Sequence, residues 1–251
     1  MSADPALEPS QPTADPVTPQ PAIELRSLRR DYADLPVLLG VSLDLARGET
    51  LAVIGANGAG KTTLLRVLGT LLRPTSGEIR VLGAALPGDA WRVRGRIGFL
   101  GHEPLLYREL TVRENLRFNA RLHGLDAAEE AIAGVLRAAA LTRYADEQVR
   151  SLSAGTLQRA SICRAVLHDP ELLLLDEPLS HLDPDATAHA SRLIGARPGR
   201  TRVIVSHDVD RALAEADRTL ALRADGTVGY CGPAAGLSPG DARAIYAGRD
   251  R

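Results

Sequence analysis

The 251-residue chain is 45% apolar and 24% charged, ordinary for a globular protein, and its length allows one large domain or two small ones. A formal net charge of -1 excludes a nucleic-acid binder that works through a bulk positive field. No apolar run approaches the roughly 20 residues needed to span a bilayer, and two cysteines, Cys163 and Cys231, cannot build a disulfide framework, which fits a reduced cytosolic compartment. Lys61 is the one lysine among 30 basic residues.

Residues 1–22 carry six prolines and almost no large apolar residue, so a disordered or extended tail is predicted. This stretch lacks the basic start and apolar run of a secretory signal. Ile23–Arg29 and Val37–Leu45 read as strands, the second with Val41, Leu43 and Leu45 inward. Thr50–Ile54 is a short apolar strand that ends at a glycine-rich turn. From Lys61 the pattern turns helical, with Leu64, Leu65, Leu68 and Leu72 on one face. Glu78–Leu82 and Ile97–Leu100 are further strands. Between Thr111 and Leu167 only helical patterning is present, opened by the capping-box pair Thr111/Glu114 and again by Asp126/Glu129. Leu172–Leu175 and Arg202–Val205 return to strand, separated by a helix from about Pro184. The pair Thr219–Arg223 and Val228–Cys231 closes around Asp225-Gly226 as a hairpin. The sum is an α/β core in two halves with an all-helical insert.

Two segments carry chemistry. Gly55-Ala-Asn57-Gly58-Ala-Gly60-Lys61-Thr62-Thr63 follows a strand and opens a helix, the context in which Gly-x4-Gly-Lys-Thr cradles phosphates. The glycines let successive N–H groups converge, the helix adds its positive end, Lys61 supplies charge for the β- and γ-phosphates, and Thr62 offers a hydroxyl to Mg2+. Leu172–Asp176-Glu177-Pro178 delivers two carboxylates at the end of an apolar strand. At the C-terminal edge of an open α/β sheet, Asp176 is placed to hold Mg2+ and Glu177 to act as general base on the attacking water.

These motifs, in this order, resemble the ATP-binding subunit of ABC transporters over about residues 23–235. The resemblance implies a P-loop NTPase (RecA-like) core, an N-terminal antiparallel β subdomain, a helical subdomain over about 102–169 and a short C-terminal tail at 236–251. Leu152-Ser153-Ala154-Gly155-Thr156-Leu157-Gln158-Arg159 looks like the family's signature motif, with Ala154 in place of the first glycine and Thr156 where Gln is common. Ser153 and Gly155, with Asp183 of the D-loop segment Ser180–Asp183, are then implied contacts to an ATP held by a second copy. His207 matches the switch histidine, and Tyr32 sits where the family stacks an aromatic on adenine. The ATP-binding set implied is Tyr32, Gly55, Asn57, Gly58, Gly60, Lys61, Thr62 and Thr63. Magnesium falls to Thr62 and Asp176, and catalysis to Glu177, His207 and His102.

One position narrows the resemblance. Gly98-Phe-Leu-Gly-His102-Glu103-Pro104 has histidine where ordinary members carry a Gln, which is similar to the haem-exporter ATPases of cytochrome c maturation, the CcmA type. That implies a homodimer on the cytoplasmic face of the cell membrane, working with a CcmB-like permease and possible CcmC- or CcmD-like subunits, with no nucleic acid and no haem held by this chain. Two alternatives stand beside it: the ATPase of another small exporter of drugs or lipids, and a mechanical ABC ATPase outside transport. His123, His168, His181 and His189 have no metal-ligand spacing and read as surface or loop residues. Cys163 reads as core packing.

Overall fold

The computed structural model of the protein describes residues 20–246. Most of the proline-rich segment predicted as a tail lies outside the described residues; its last member, Ala22, is already buried and donates its N–H to the Leu45 carbonyl.

Four strands form an antiparallel sheet: β1 (Ile23–Tyr32), β2 (Leu35–Leu45), β4 (Ser76–Val81) and β5 (Ala84–Leu86), in the order β2-β1-β4-β5. The second sheet has six strands: β3 (Thr50–Gly55), β6 (Ile97–Leu100), β7 (Leu172–Asp176), β8 (Thr201–Val205), β9 (Arg218–Leu222) and β10 (Val228–Pro233), in the order β10-β9-β3-β8-β7-β6. All its pairings are parallel except β9 with β10. Every residue of β3, β7 and β8 is buried, including the polar Thr50, Asp176, Thr201 and Arg202 at their ends, so these largely apolar strands are covered on both faces. The helices are α1 (Lys61–Leu68), α2 (Val112–Leu122), α3 (Ala128–Ala138), α4 (Ala154–Val166), α5 (Pro184–Ile194), α6 (Val209–Glu215) and α7 (Pro239–Tyr246). This is the predicted α/β, P-loop NTPase-like architecture, with an antiparallel sheet beside a parallel one.

One core joins the two sheets: Leu25, Leu28 and Val41 pack with Leu64, Leu65 and Leu68 of α1 and with Leu172, Leu174 and Val203. A second core lies among the helices, where Val112, Leu116, Ile132, Leu136 and Cys163 meet. Cys163 is buried as packing, as read from the sequence, and burial pushes its thiol up to about 12. The β9–β10 turn also reaches the other sheet: the Leu39 N–H donates to the Gly226 carbonyl at 3.0 Å, and a Cβ at Gly226 would lie 2.4 Å from the Val37 carbonyl oxygen.

Several predicted boundaries move. α1 stops at Leu68, short of Leu72, because Gly69 caps it and the amides of Leu71 and Leu72 both turn back to the Arg66 carbonyl. The Thr111/Glu114 box forms, with the Thr111 hydroxyl accepting from the Glu114 amide and the Glu114 carboxylate from the Thr111 amide. The second box does not form. α3 starts at Ala128 behind Ala127, and Glu129 instead accepts from Arg117 of α2 at 2.5 Å. β5 was not foreseen; three residues are too few to show a period. The stretch 236–251, expected as a tail, contains α7, whose Ala242 is buried against Ala52, Ile54 and Val209. His168 is also more than a surface residue, since its ring stacks on His123 with centroids 3.7 Å apart.

Candidate functional site

Parallel pairing brings the C-terminal ends of β3, β8, β7 and β6 side by side, and the charged residues of the two motifs follow directly from those ends. In open α/β sheets ligands bind at such an edge. The turn after β3 is shaped by close packing. A Cβ on Gly55 would come within 2.4 Å of the Leu222 carbonyl oxygen, and one on Gly60 within 2.7 Å of Leu38 Cδ2 and the Val37 carbonyl oxygen. Both also have positive φ, 151° and 94°, so no other residue fits without moving β9 or β2.

Lys61 opens α1 and folds back over its own loop, where Nζ donates to the Gly55 carbonyl at 2.7 Å and the Ala56 carbonyl at 2.8 Å. Burial lowers its pKa, and the carboxylates of Glu177 and Asp176 oppose that shift. A cation held in a concavity of backbone amides suits a polyphosphate. Thr62 Oγ1 donates to Asp176 Oδ2 at 2.7 Å across 114 residues of sequence. Asp176 is buried at the end of β7. A hydroxyl and a carboxylate at this separation form a hard-oxygen donor pair, the kind that suits Mg2+ when phosphates and water complete the shell.

Glu177 follows in the left-handed region, φ 49°, with its amide donating to the Val205 carbonyl at 3.0 Å. A non-glycine residue held there has its side chain aimed by the fold at some energetic cost. Its carboxylate Oε2 lies 2.7 Å from His207 Nδ1; the Glu177 side chain is 18% exposed and His207 68%. The loop below is fixed as well, because Ser180 donates its amide and hydroxyl to the Glu177 carbonyl and Asp208 donates its amide to Ser206 Oγ.

A cavity of about 250 Å3 is lined by Asn57, Gly58, Gly60, Lys61, Thr62, Thr63, His102, Asp176 and Glu177, together with Val37 and Val205. Most of the predicted ATP set therefore converges. Val37 and Val205 were missed; as apolar strand residues they carry no motif, and only sheet order brings them here. Tyr32 is not among the lining residues. It sits at the end of β1, 40% exposed, with the Arg30 guanidinium 4.7 Å from its ring centre. Nor are Ser153, Gly155 or Asp183. Ser153 caps α4, accepting from the Thr156 amide, and Asp183 caps α5, accepting from the Ala186 amide at 2.7 Å. Gln158 Nε2 donates to the Pro178 carbonyl at 3.1 Å and so ties the signature helix to the loop after Glu177.

Among known families, the one described as ABC transporter matches residues 38–180. The chain is 38% identical over 214 residues to the Nod factor export ATP-binding protein I of Rhizobium meliloti, covering 82% of this chain and 63% of that one. It is 37% identical over 246 residues to the phosphonates import ATP-binding protein PhnC of Anaeromyxobacter dehalogenans, covering 92% of this chain and 49% of that one. Thus the chain spans about half to two thirds of the length of these relatives. A dimeric ATP-binding cassette in a post-hydrolysis state, bound to ADP and Pi, superposes with a TM-score of 0.77 at 26% identity, over 84% of this chain and 98% of that one.

Proposed function

The chain belongs to the ABC transporter ATP-binding family, and from that premise we propose that it hydrolyses ATP as the nucleotide-binding subunit of a transport complex. The observation that carries this reading is the 2.7 Å bond from Thr62 to Asp176 beside Lys61, which unites the two motifs into one phosphate and metal site. Lys61 and the loop amides bind the phosphates, and Thr62 and Asp176 hold Mg2+. Bound there, Mg2+ would supply charge neutralisation for the phosphate oxygens. Glu177 orients the water and takes its proton, with His207 beside its carboxylate. His102 lines the same cleft as Lys61, Thr62, Asp176 and Glu177.

Ser153, Gly155 and Asp183 lie outside the lining of their own chain's cleft, which supports their use on the ATP of a second copy in a head-to-tail pair. Bound γ-phosphate favours the closed pair, and its loss on hydrolysis releases it. No helix among the described residues is long and apolar enough to cross a membrane. On the family reading, the translocation path belongs to a permease, with this chain peripheral on the cytoplasmic face.

Lys61→Ala abolishes nucleotide binding, while Glu177→Gln retains binding, loses turnover and accumulates a closed dimer. A normal ATPase rate in either variant refutes the assignment. Haem as cargo rests on His102 within Gly98–Pro104, since the relatives matched are named for Nod factor export and phosphonate import. Co-purification with a CcmB-like permease supports it, and recovery with a drug, lipid or phosphonate permease replaces it.

A further inference from the structure

The signature segment departs from the common pattern at Thr156, and the fold gives that departure a partner. Ser153 caps α4, and Thr156 is the third residue of the helix. Thr156 is 5% exposed, and its hydroxyl lies 2.9 Å from Ser153 Oγ. Its amide donates to the same oxygen at a longer 3.3 Å. A glutamine here is long enough to reach back to the N–H of the capping residue, as in a capping box. Threonine is shorter and ends at the serine hydroxyl instead.

A serine hydroxyl has two acceptor sites and one proton. The Thr156 amide donates into Ser153 Oγ, and at 2.9 Å either hydroxyl of the pair can donate to the other; in the arrangement where Thr156 donates, both acceptor sites of Ser153 Oγ are filled. Its proton is then left for a third partner. An anion arriving at the N-terminus of α4 meets an O–H rather than a lone pair, and donation into the serine polarises that O–H further.

We propose that Thr156 is a positioning residue that sets the Ser153 hydroxyl as a donor to the γ-phosphate of an ATP held by a second copy of this chain. The inference rests on the in-trans reading of Ser153 given above.

The full chain carrying Glu177→Gln is titrated with magnesium-ATP while its dimer is followed by sedimentation. Fluorescent-nucleotide binding to the monomer is read in parallel. Adding Thr156→Val, which keeps the shape but removes the hydroxyl, raises the ATP concentration for half-dimerisation about tenfold, the scale of one hydrogen bond. Monomer affinity is unchanged, and Thr156→Ser restores dimerisation to within about twofold of the parent. With Glu177 present, the Val variant loses kcat more than it raises KM. Equal dimerisation of the Val variant and the parent overturns the proposal. So does an equal loss in the Ser variant, which makes packing the cause. Should the Val variant fail to fold, Thr156→Ala against Thr156→Ser decides in the same way. If the parent itself does not dimerise with ATP, the in-trans reading falls and this proposal with it, and that failure is visible before Thr156 is altered.

Discussion

Replacing His168 tests the electrostatics of the junction between the helical insert and the parallel sheet. His168 follows α4, its Nε2 lies 3.1 Å from the Ile97 carbonyl of β6, and its buried Nδ1 has no hydrogen-bond partner. The bond to a carbonyl makes Nε2 the protonated nitrogen of a neutral ring. Its face stacks on His123, Arg94 and Arg164 line the groove around the two rings, and Arg164 and Arg200 are close enough to oppose a charge on His168. Burial first, then His123, Arg164 and Arg200, lower its pKa from 6.5 to about 4, against the opposing bond to the Ile97 carbonyl. A folded-state value below the unfolded one means that the unfolded chain takes up the proton first as pH falls. Stability is therefore complete above about pH 6.5 and is lost on acidification toward about pH 4. Each pH decade is worth about 1.4 kcal/mol, so the loss between about pH 7.5 and pH 5 is about 2 kcal/mol. Urea unfolding of the wild type and of His168→Gln at those two pH values measures it; glutamine keeps a donor for Ile97 but does not titrate. The wild type should lose about 2 kcal/mol more than the variant. Parallel losses in the two proteins would falsify the buried-neutral account of this ring.

Other substitutions test the packing. Leu174→Ala, at a fully buried position in β7, costs about 2–5 kcal/mol by urea denaturation, and a cost under about 1 kcal/mol would mean that the strand is not held between two covered faces. Thr111→Ala removes one half of the capping box on α2 and lowers stability by about 1 kcal/mol; an unchanged midpoint would mean the box is not formed in solution. Native alkylation followed by mass spectrometry should label exposed Cys231 and spare Cys163, whose thiol is buried with a pKa pushed up to about 12. Equal labelling would show that the helical core opens readily.

Local segments were legible where chemistry and period coincide. The phosphate loop has to follow a strand and open a helix, so Gly55–Thr62 located β3 and α1 together. The buried strand Leu172–Asp176 announced itself by four consecutive leucines before an acid. The Thr111/Glu114 box marked the start of α2, yet the same pattern at Asp126/Glu129 misled, because Arg117 on a neighbouring helix competes for Glu129. Short or terminal elements such as β5 and α7 gave no periodic signal, since three residues show no alternation and the apolar contacts of α7 come from β3 and α6.

The sequence by itself determined which groups do the chemistry and in what order they leave the strands, because a phosphate loop and a strand-end carboxylate pair need those residue types at fixed spacing. Only the tertiary structure decided their meeting. The strand order β3-β8-β7-β6 sets Thr62 beside Asp176 and His207 beside Glu177, and it brings Val37 and Val205 to the cleft wall. The physical reason is that strand pairing and side-chain burial are satisfied over the whole sheet at once, so contacts between distant segments are not encoded in either segment alone.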